Sequence, residues 1–340
     1  MAHGDPSAVE QQQHIYESLL RYFEEYEAGV FEVEILPPAL EPSGGLIQDG
    51  KSLGISKKAL VSAFLIARQT FFDNRNNSPT DPKALQATKI MLLFDGEQLT
   101  AANFRKRRLI ALRDADDVVT FHQAVLAELA FVGSILSSPL HRQTKSPTLW
   151  YHRAWLLGLI GPLEVERASG KRMASIISTA LDSVCKAGER HPKNYYGWNY
   201  ARRLVTSFDW VAGEMGAPFP FDWIVSLFSE RLCKWCFKNP SDCSGWSYLF
   251  FLLMRLDPVD ERDEIVEKVL KYAAQIKSEN ESLWGFVRVV LAHPTLLGDR
   301  ETLIETLEAS VKDTESDCAY STYVKQSLRW IKTSGKRPLP

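Results

Sequence analysis

The chain has 340 residues, 45% of them hydrophobic and 24% charged, with a formal net charge of −2 at neutral pH. That composition describes a globular protein with a sizeable core and excludes the strongly basic surface that attracts nucleic acid or anionic lipid by charge alone. No unbroken run of 18 apolar residues occurs, so no membrane span is expected. The first twenty residues, "MAHGDPSAVEQQQHIYESLL", are polar and lack the apolar stretch and small-residue cleavage site of a secretory signal. Five cysteines, an odd number, suit free thiols in a reducing compartment, and a cytoplasmic protein is expected.

In chain order, a polar and aromatic helix is expected around residues 9–28. "VFEVEILP" (30–37) reads as a short extended segment, and the Pro- and Gly-rich "PPALEPSGGLIQDGKSLG" (37–54) as a long irregular connection. Residues 1–54 thus form an N-terminal region, followed by an α-solenoid over 55–335 and a frayed tail, 336–340. Helical periodicity resumes with "ISKKALVSAFLIARQTFFD" (55–73). "GEMGAPFPFD" (213–222) is expected to be a loop. "ETLIETLEASVK" and "CAYSTYVKQSLRWIK" are expected to form a last helix pair that closes the open end, with "TSGKRPLP" frayed beyond it.

Tryptophan spacing organises the middle. Trp150, Trp198, Trp246 and Trp284 follow one another at intervals of 48, 48 and 38 residues, and a step of 48 back from Trp150 reaches Ala102, a copy without its indole. Four residues before each tryptophan stands a side chain that caps helix N-termini: Ser146, Asn194, Asp242 and Asn280, whereas Gln98 breaks the rule in the first copy. Seven residues after, on the same helix face, stand Leu157, Val205, Leu253 and Leu291, with Leu109 in the first copy. An apolar helical pattern precedes each tryptophan helix, as in "HQAVLAELAFVGSIL", "RMASIISTALDSVC", "WIVSLFSERLCKWCF" and "EIVEKVLKYAAQI". The unit is a helical hairpin that cannot bury its apolar face alone, so the predicted fold is all-α, an α-α superhelix of about five stacked hairpins. The indoles are read as packing wedges of the repeat core.

The segments "KSPTLWYHRAWLL", "HPKNYYGWNYARRL", "SDCSGWSYLFFLL" and "ESLWGFVRVVL" resemble the repeat of protein prenyltransferase alpha subunits, over about residues 85–295. The resemblance implies a crescent of hairpins around a separate beta subunit, in a heterodimer that attaches an isoprenoid to a C-terminal cysteine of a protein substrate. The catalytic centre, its zinc and the isoprenoid diphosphate pocket would lie on that beta subunit. A geranylgeranyl transferase with a Rab-type beta subunit is the form implied, and a helical-repeat scaffold without transferase activity is the alternative. A second lipid matters because one chain anchors a protein only reversibly. By repeat order the resemblance makes Lys145, Lys193, Asn194, Tyr195 and Tyr196 candidates for diphosphate contact. Tyr196 stands where the family has histidine, and the family's arginine pair appears as Arg153–Ala154, as Arg202–Arg203 shifted by one, and not at all in the fourth copy, where Leu249 and Phe250 stand.

Taken without that resemblance, Lys145 and Lys193 are solvated lysines beside helix starts, and Arg153, Arg202 and Arg203 are expected to pair with carboxylates on the next hairpin. His152 and His191 read as interface residues, and "FRKRRL" (104–109) as a solvated basic face beside the acidic "DADD". "CKWC" (233–236) lacks the second ligand pair a structural zinc needs, so no metal site is expected and its thiols are read as helix core.

Overall fold

Many helices begin at a short polar side chain that accepts a hydrogen bond from the first turn. Ser56, Asp81, Asp117 and Asp299 bond the amides of Ala59, Ala84, Thr120 and Thr302. At the repeat positions Ser146 Oγ accepts from Leu149 N, Asn194 Oδ1 from Gly197 N, and Asp242 Oδ1 from the amides of Ser244 and Gly245. Each such bond satisfies a donor the helix itself leaves open. Asn280 occupies the same register but makes no side-chain cap bond, and neither does Gln98. The expectation of a cap in every full copy therefore fails at the last one.

The computed structural model describes residues 6–27, 29–166, 170–215, 221–311 and 318–334. They divide into two compact units, Met1–Tyr200 and Ala201–Pro340. The first holds α1 (Pro6–Glu25), strands β1 (Glu32–Leu36), β2 (Leu46–Asp49) and β3 (Ser52–Ser56), then α2 (Lys57–Asn74), α3 (Pro82–Phe94), α4 (Leu99–Asp114), α5 (Val118–Ser137), the single-turn α6 (His141–Thr144), α7 (Pro147–Glu166) and α8 (Gly170–Arg190). The division falls inside α9 (Tyr195–Met215). The second unit continues with α10 (Phe221–Lys238), α11 (Cys243–Leu253), α12 (Val259–Gln275), α13 (Glu281–Ala292), α14 (Arg300–Ala309) and α15 (Ala319–Ser334). The fold is all-α of the helical-repeat solenoid class, and the helices expected before each tryptophan are α5, α8, α10 and α12. Of the loop expected at 213–222, residues 213–215 and 221–222 belong instead to α9 and α10, and residues 216–220 lie outside those described, as do residues 335–340 of the expected tail.

The N-terminal region differs from its expectation. Residues 37–54 are not simply an irregular connection, because β3 pairs in parallel with β1 and antiparallel with β2 in a three-stranded sheet of order β1-β3-β2. Gly50, at φ 53°, makes the tight Gly50–Lys51 turn between β2 and β3, which a side chain would strain. Val33, Leu53 and Ile55 face the core. The open edge of this sheet is closed by α5, whose Ser134 and Ser138 hydroxyls each accept at 2.9 Å from the amides of Phe31 and Val33.

Among the described residues α5 is the one helix long and apolar enough to cross a membrane. It is instead a core helix, packed against α7, α8 and β1 and carrying the buried carboxylate of Glu128. Its apolar length reflects burial from several sides rather than a lipid environment.

The tryptophans occupy equivalent places. All four are buried, as is Ala102. Trp150, Trp246 and Trp284 each donate from Nε1 to the carbonyl six residues back, on Thr144, Pro240 and Ser278, at 2.8, 2.9 and 2.8 Å. The aromatic two residues after the next tryptophan then covers the indole: Tyr200 lies 5.1 Å from Trp150, and Phe286 lies 5.1 Å from Trp246. At the end of the array Tyr320 of α15, 5.8 Å from Trp284, takes that role. Cap side chains add a second stitch within the first unit, because Ser146 Oγ reaches Gly96 O at 3.1 Å and Asn194 Nδ2 reaches Thr144 O at 2.9 Å, one hairpin back in each case.

This packing makes a prediction at two glycines of the second unit. A Cβ on Gly245 would overlap the Trp235 ring of α10, whereas one on Gly285 would meet nothing. Gly245→Ala is expected to lower stability by about 1–3 kcal/mol through overpacking. Gly285→Ala is expected to raise it by roughly 0.5–1 kcal/mol, the helix-propensity gain alone. Urea denaturation of the two variants beside wild type checks both signs.

Candidate anion-binding site

The second and third copies meet at an exposed turn in the first unit. Lys145 ends α6, and the chain at 191–194 links α8 to α9. Lys145 Nζ donates to Pro192 O at 3.4 Å, bringing its ammonium onto that turn. His141, on the first residue of α6, sets its ring 5.1 Å from that of His191 in an edge-to-face arrangement, 86° between planes. Lys193 is exposed and holds a left-handed backbone, φ 60°, which is uncommon for a residue with a side chain. Tyr195 and Tyr196 follow at the surface, 64% and 39% exposed, with ring centroids 5.5 Å apart.

The charge here is one-sided. Glu32 of β1 faces the neighbouring α8, where Arg190 and Lys186 engage both of its oxygens at 2.5 and 3.1 Å. Those cations outweigh the effect of burial and hold the Glu32 carboxyl below its ordinary range. Burial, then His141, Lys145 and Arg190, push the His191 imidazole below its ordinary value. His191 Nε2 and Arg190 Nη1 are buried without a hydrogen-bond partner among the described residues. The Lys145 ammonium and the unpartnered His191 Nε2 and Arg190 Nη1 are groups of the kind that an anion requires.

Of the residues proposed from sequence for diphosphate contact, Lys145, Lys193, Tyr195 and Tyr196 lie on this turn with side chains at or near the surface. Asn194 is buried and its amide is bonded at both ends, to Gly197 N and Thr144 O, so it positions the turn. His141 escaped the sequence reading and His191 read as an interface residue. The available signal was the pairing of "HRQTK" with "HPKN", each placing a histidine shortly before a candidate lysine.

A second cluster of titratable groups is sealed. Arg105 of α4 forms a bidentate pair with Glu128, Nε to Oε1 at 2.7 Å and Nη2 to Oε2, and bonds Thr88 Oγ1 of α3 at 2.8 Å while stacking over Phe131 at 4.6 Å. His152 Nε2 of α7 stands 3.3 Å from Glu128 Oε1 without hydrogen-bonding geometry. Burial alone would raise the Glu128 carboxyl, but Arg105 and His152 outweigh it and hold the group low. Burial pulls His152 down to about 4 and the adjacent Lys89 down to about 8. The cavity beside them, about 20 Å³, has room for little more than one water, so the network is a pin through α3, α4, α5 and α7 rather than a substrate site. Arg105, expected to be part of a solvated basic face, is thus core, because its carboxylate partner is buried with it. Arg153 likewise departs from its expected carboxylate pairing: it is buried, bonding Leu129 O, Ser183 Oγ and Tyr200 OH.

In the second unit an open groove of about 430 Å³ between α11 and α13 is lined by Trp246, Phe250, Phe286, Val289 and Cys243. Among the described residues no three His, Cys, Asp or Glu side chains converge as metal ligands. Cys233 and Cys236 are both buried on α10, and burial pushes the Cys233 thiol up to about 12.

An all-α repeat array whose indoles recur at one register, with a cationic turn between its second and third copies, is the class of protein that fold and site define. The chain is similar in sequence to protein prenyltransferase alpha subunits. It is 26% identical over 204 residues to the geranylgeranyl transferase type-2 subunit alpha of Sus scrofa, covering 60% of this chain and 31% of that one. It is 29% identical over 182 residues to the protein prenyltransferase alpha subunit repeat-containing protein 1-A of Xenopus laevis, covering 51% and 37%. Residues 163–278 match the model of the ECM9 middle domain, and Protein ECM9 of Saccharomyces cerevisiae is 25% identical over 164 residues, 48% of this chain and 37% of that one. The chain spans about a third of the length of these curated relatives.

Proposed function

We propose that the chain is the alpha, non-catalytic subunit of a cytoplasmic protein prenyltransferase, which recognises the protein substrate and supplies one wall of the active site. The reaction is geranylgeranyl transfer to C-terminal cysteines, and the partner is a Rab-type beta subunit that carries the zinc and the isoprenoid pocket. The observation that carries this reading is the gathering of Lys145, Lys193, Tyr195 and Tyr196 on one exposed turn, with Lys145 Nζ resting on Pro192 O. The hydrogen bond at 3.4 Å is long and the ammonium is solvent-accessible, so it can swing to the charge that grows on departing diphosphate.

The test is coexpression with a Rab-type beta subunit and assay of geranylgeranyl transfer to a cysteine-terminated acceptor protein. Transfer by the pair and none by either chain alone is the expected result; failure of the two to copurify or transfer overturns the reading. Lys145→Ala is expected to lower kcat about 100- to 1,000-fold with the heterodimer intact, the effect of removing one charge-stabilising donor.

A scaffold without transferase activity is the second reading, favoured by the ECM9 match over residues 163–278 and by Arg153, which packs inside its own unit. A heterodimer without activity would favour it, whereas unchanged transfer in Lys145→Ala would remove only the role given to Lys145.

A further inference from the structure

We infer that His141 and His191 form a proton-linked anion site with Lys145, so that a phosphate-type dianion is held on this turn by two imidazoliums and an ammonium. The identity of the physiological anion, the isoprenoid diphosphate, rests on the proposed function; the site itself stands on the geometry of the turn. The two rings meet edge to face at 5.1 Å, and Lys145 Nζ reaches the carbonyl of Pro192, the residue next to His191. His191 Nε2 is buried and has no hydrogen-bond partner among the described residues, which for a polar atom calls for one supplied from outside the chain.

The charged and titratable groups around the pair come from several elements. On α6 and its end stand His141, Arg142 and Lys145; on α8, Lys186, Glu189, Arg190 and, just past its end, His191; on the turn into α9, Lys193, Tyr195 and Tyr196; and on β1, Glu32. Glu32 is engaged by Lys186 and Arg190, and Glu189 is exposed. A second proton on such a pair is costly without an anion, and an anion removes that cost. Linkage is reciprocal, so whatever the anion does for histidine protonation, protonation does for the anion's affinity. Each histidine whose pKa rises by one unit on binding contributes up to about tenfold in affinity as pH falls past it.

The experiment is calorimetric titration of the full-length chain with inorganic sulfate, whose charge is constant over the range used, followed by inorganic pyrophosphate. Sulfate is expected to bind about tenfold more tightly near pH 5.5 than near pH 7.5. His191→Gln and the surface variant His141→Gln are each expected to remove most of that pH dependence, and Lys145→Ala to weaken binding at both pH values alike. Circular dichroism checks folding, and if His191→Gln does not fold, His141→Gln decides. Absence of sulfate and pyrophosphate binding at either pH, or a pH dependence that survives in His141→Gln, overturns the inference. Proton-linked binding in a chain that transfers no lipid with any beta subunit would leave the anion site standing and remove the prenyltransferase reading instead.

Discussion

Replacing Glu128 with glutamine is expected to destabilise the protein by roughly 3–5 kcal/mol, because it leaves the Arg105 guanidinium buried without its counter-charge. Arg105 is 3% exposed, so water cannot take over the lost pairing. Its remaining bonds to Thr88 Oγ1 and Leu85 O are neutral, and the Phe131 face offsets only part of the charge. Removing both charges is expected to cost much less: Arg105→Met with Glu128→Leu keeps apolar volume and creates no orphan. Urea midpoints and slopes of the single and double variants decide this, and equal losses in both would mean that the pair's charge is irrelevant to its role.

The same cluster sets an acid limit. His152 falls from an ordinary value of 6.5 to about 4 on folding, so the folded state binds fewer protons and stability declines as pH drops between those two values. The expected loss across that window is about 3 kcal/mol at full linkage. Glu128, held below its ordinary value, adds a further loss at still lower pH, once its carboxylate must be protonated. His152→Phe is expected to flatten the decline above pH 4.5 or so while leaving the Glu128 limb in place. Phenylalanine suits the position, since Phe104 and Phe286 stand at the same register of other copies.

The repeat was legible because its signal is periodic. A buried indole, a cap four residues before it and an aliphatic seven after it are local choices repeated in one frame, and the structure gives them one geometry, down to the Nε1 bond six residues back. The aromatic two residues past Ala102 and past each repeat tryptophan, Phe104, His152, Tyr200, Tyr248 and Phe286, was equally visible, but only contact across the hairpin boundary, as at Tyr200 and Phe286, explains it. Arg105 was harder to read. It sits three residues after Ala102 as Arg153 sits three after Trp150, yet a run of four basic residues hides which one turns inward. Its partner Glu128 is 23 residues away and is the one Asp, Glu, Lys or Arg in a predominantly apolar helix. The small sheet was obscured because strands of four or five residues carry too little alternation to outweigh the Pro and Gly between them. At the candidate site, Lys145 and the turn from Lys193 to Tyr196 came from repeat order, while the histidine pair depended on a contact between residues fifty apart.

Trp246→Ala is expected to have the largest effect in the second unit, about 3–5 kcal/mol, since it removes a buried indole and leaves a cavity between successive hairpins. Trp246 is 1% exposed, donates to Pro240 O at 2.9 Å and is covered by Phe286. Trp246→Phe separates the contributions: it keeps most of the apolar contact and loses the hydrogen bond, and about 1–2 kcal/mol is expected. A double-mutant cycle with Phe286→Ala is expected to return a coupling of about 0.5–1.5 kcal/mol, the size of an aromatic pair beyond its area. Because each hairpin leans on its neighbours, hydrogen exchange in Trp246→Ala should lose protection first in α11 and α13, where the indole is wedged, and later in α14 and α15. Uniform loss of protection through the second unit would mean that its stability is not assembled hairpin by hairpin, and the indole would then be an ordinary core residue rather than the joint between repeats.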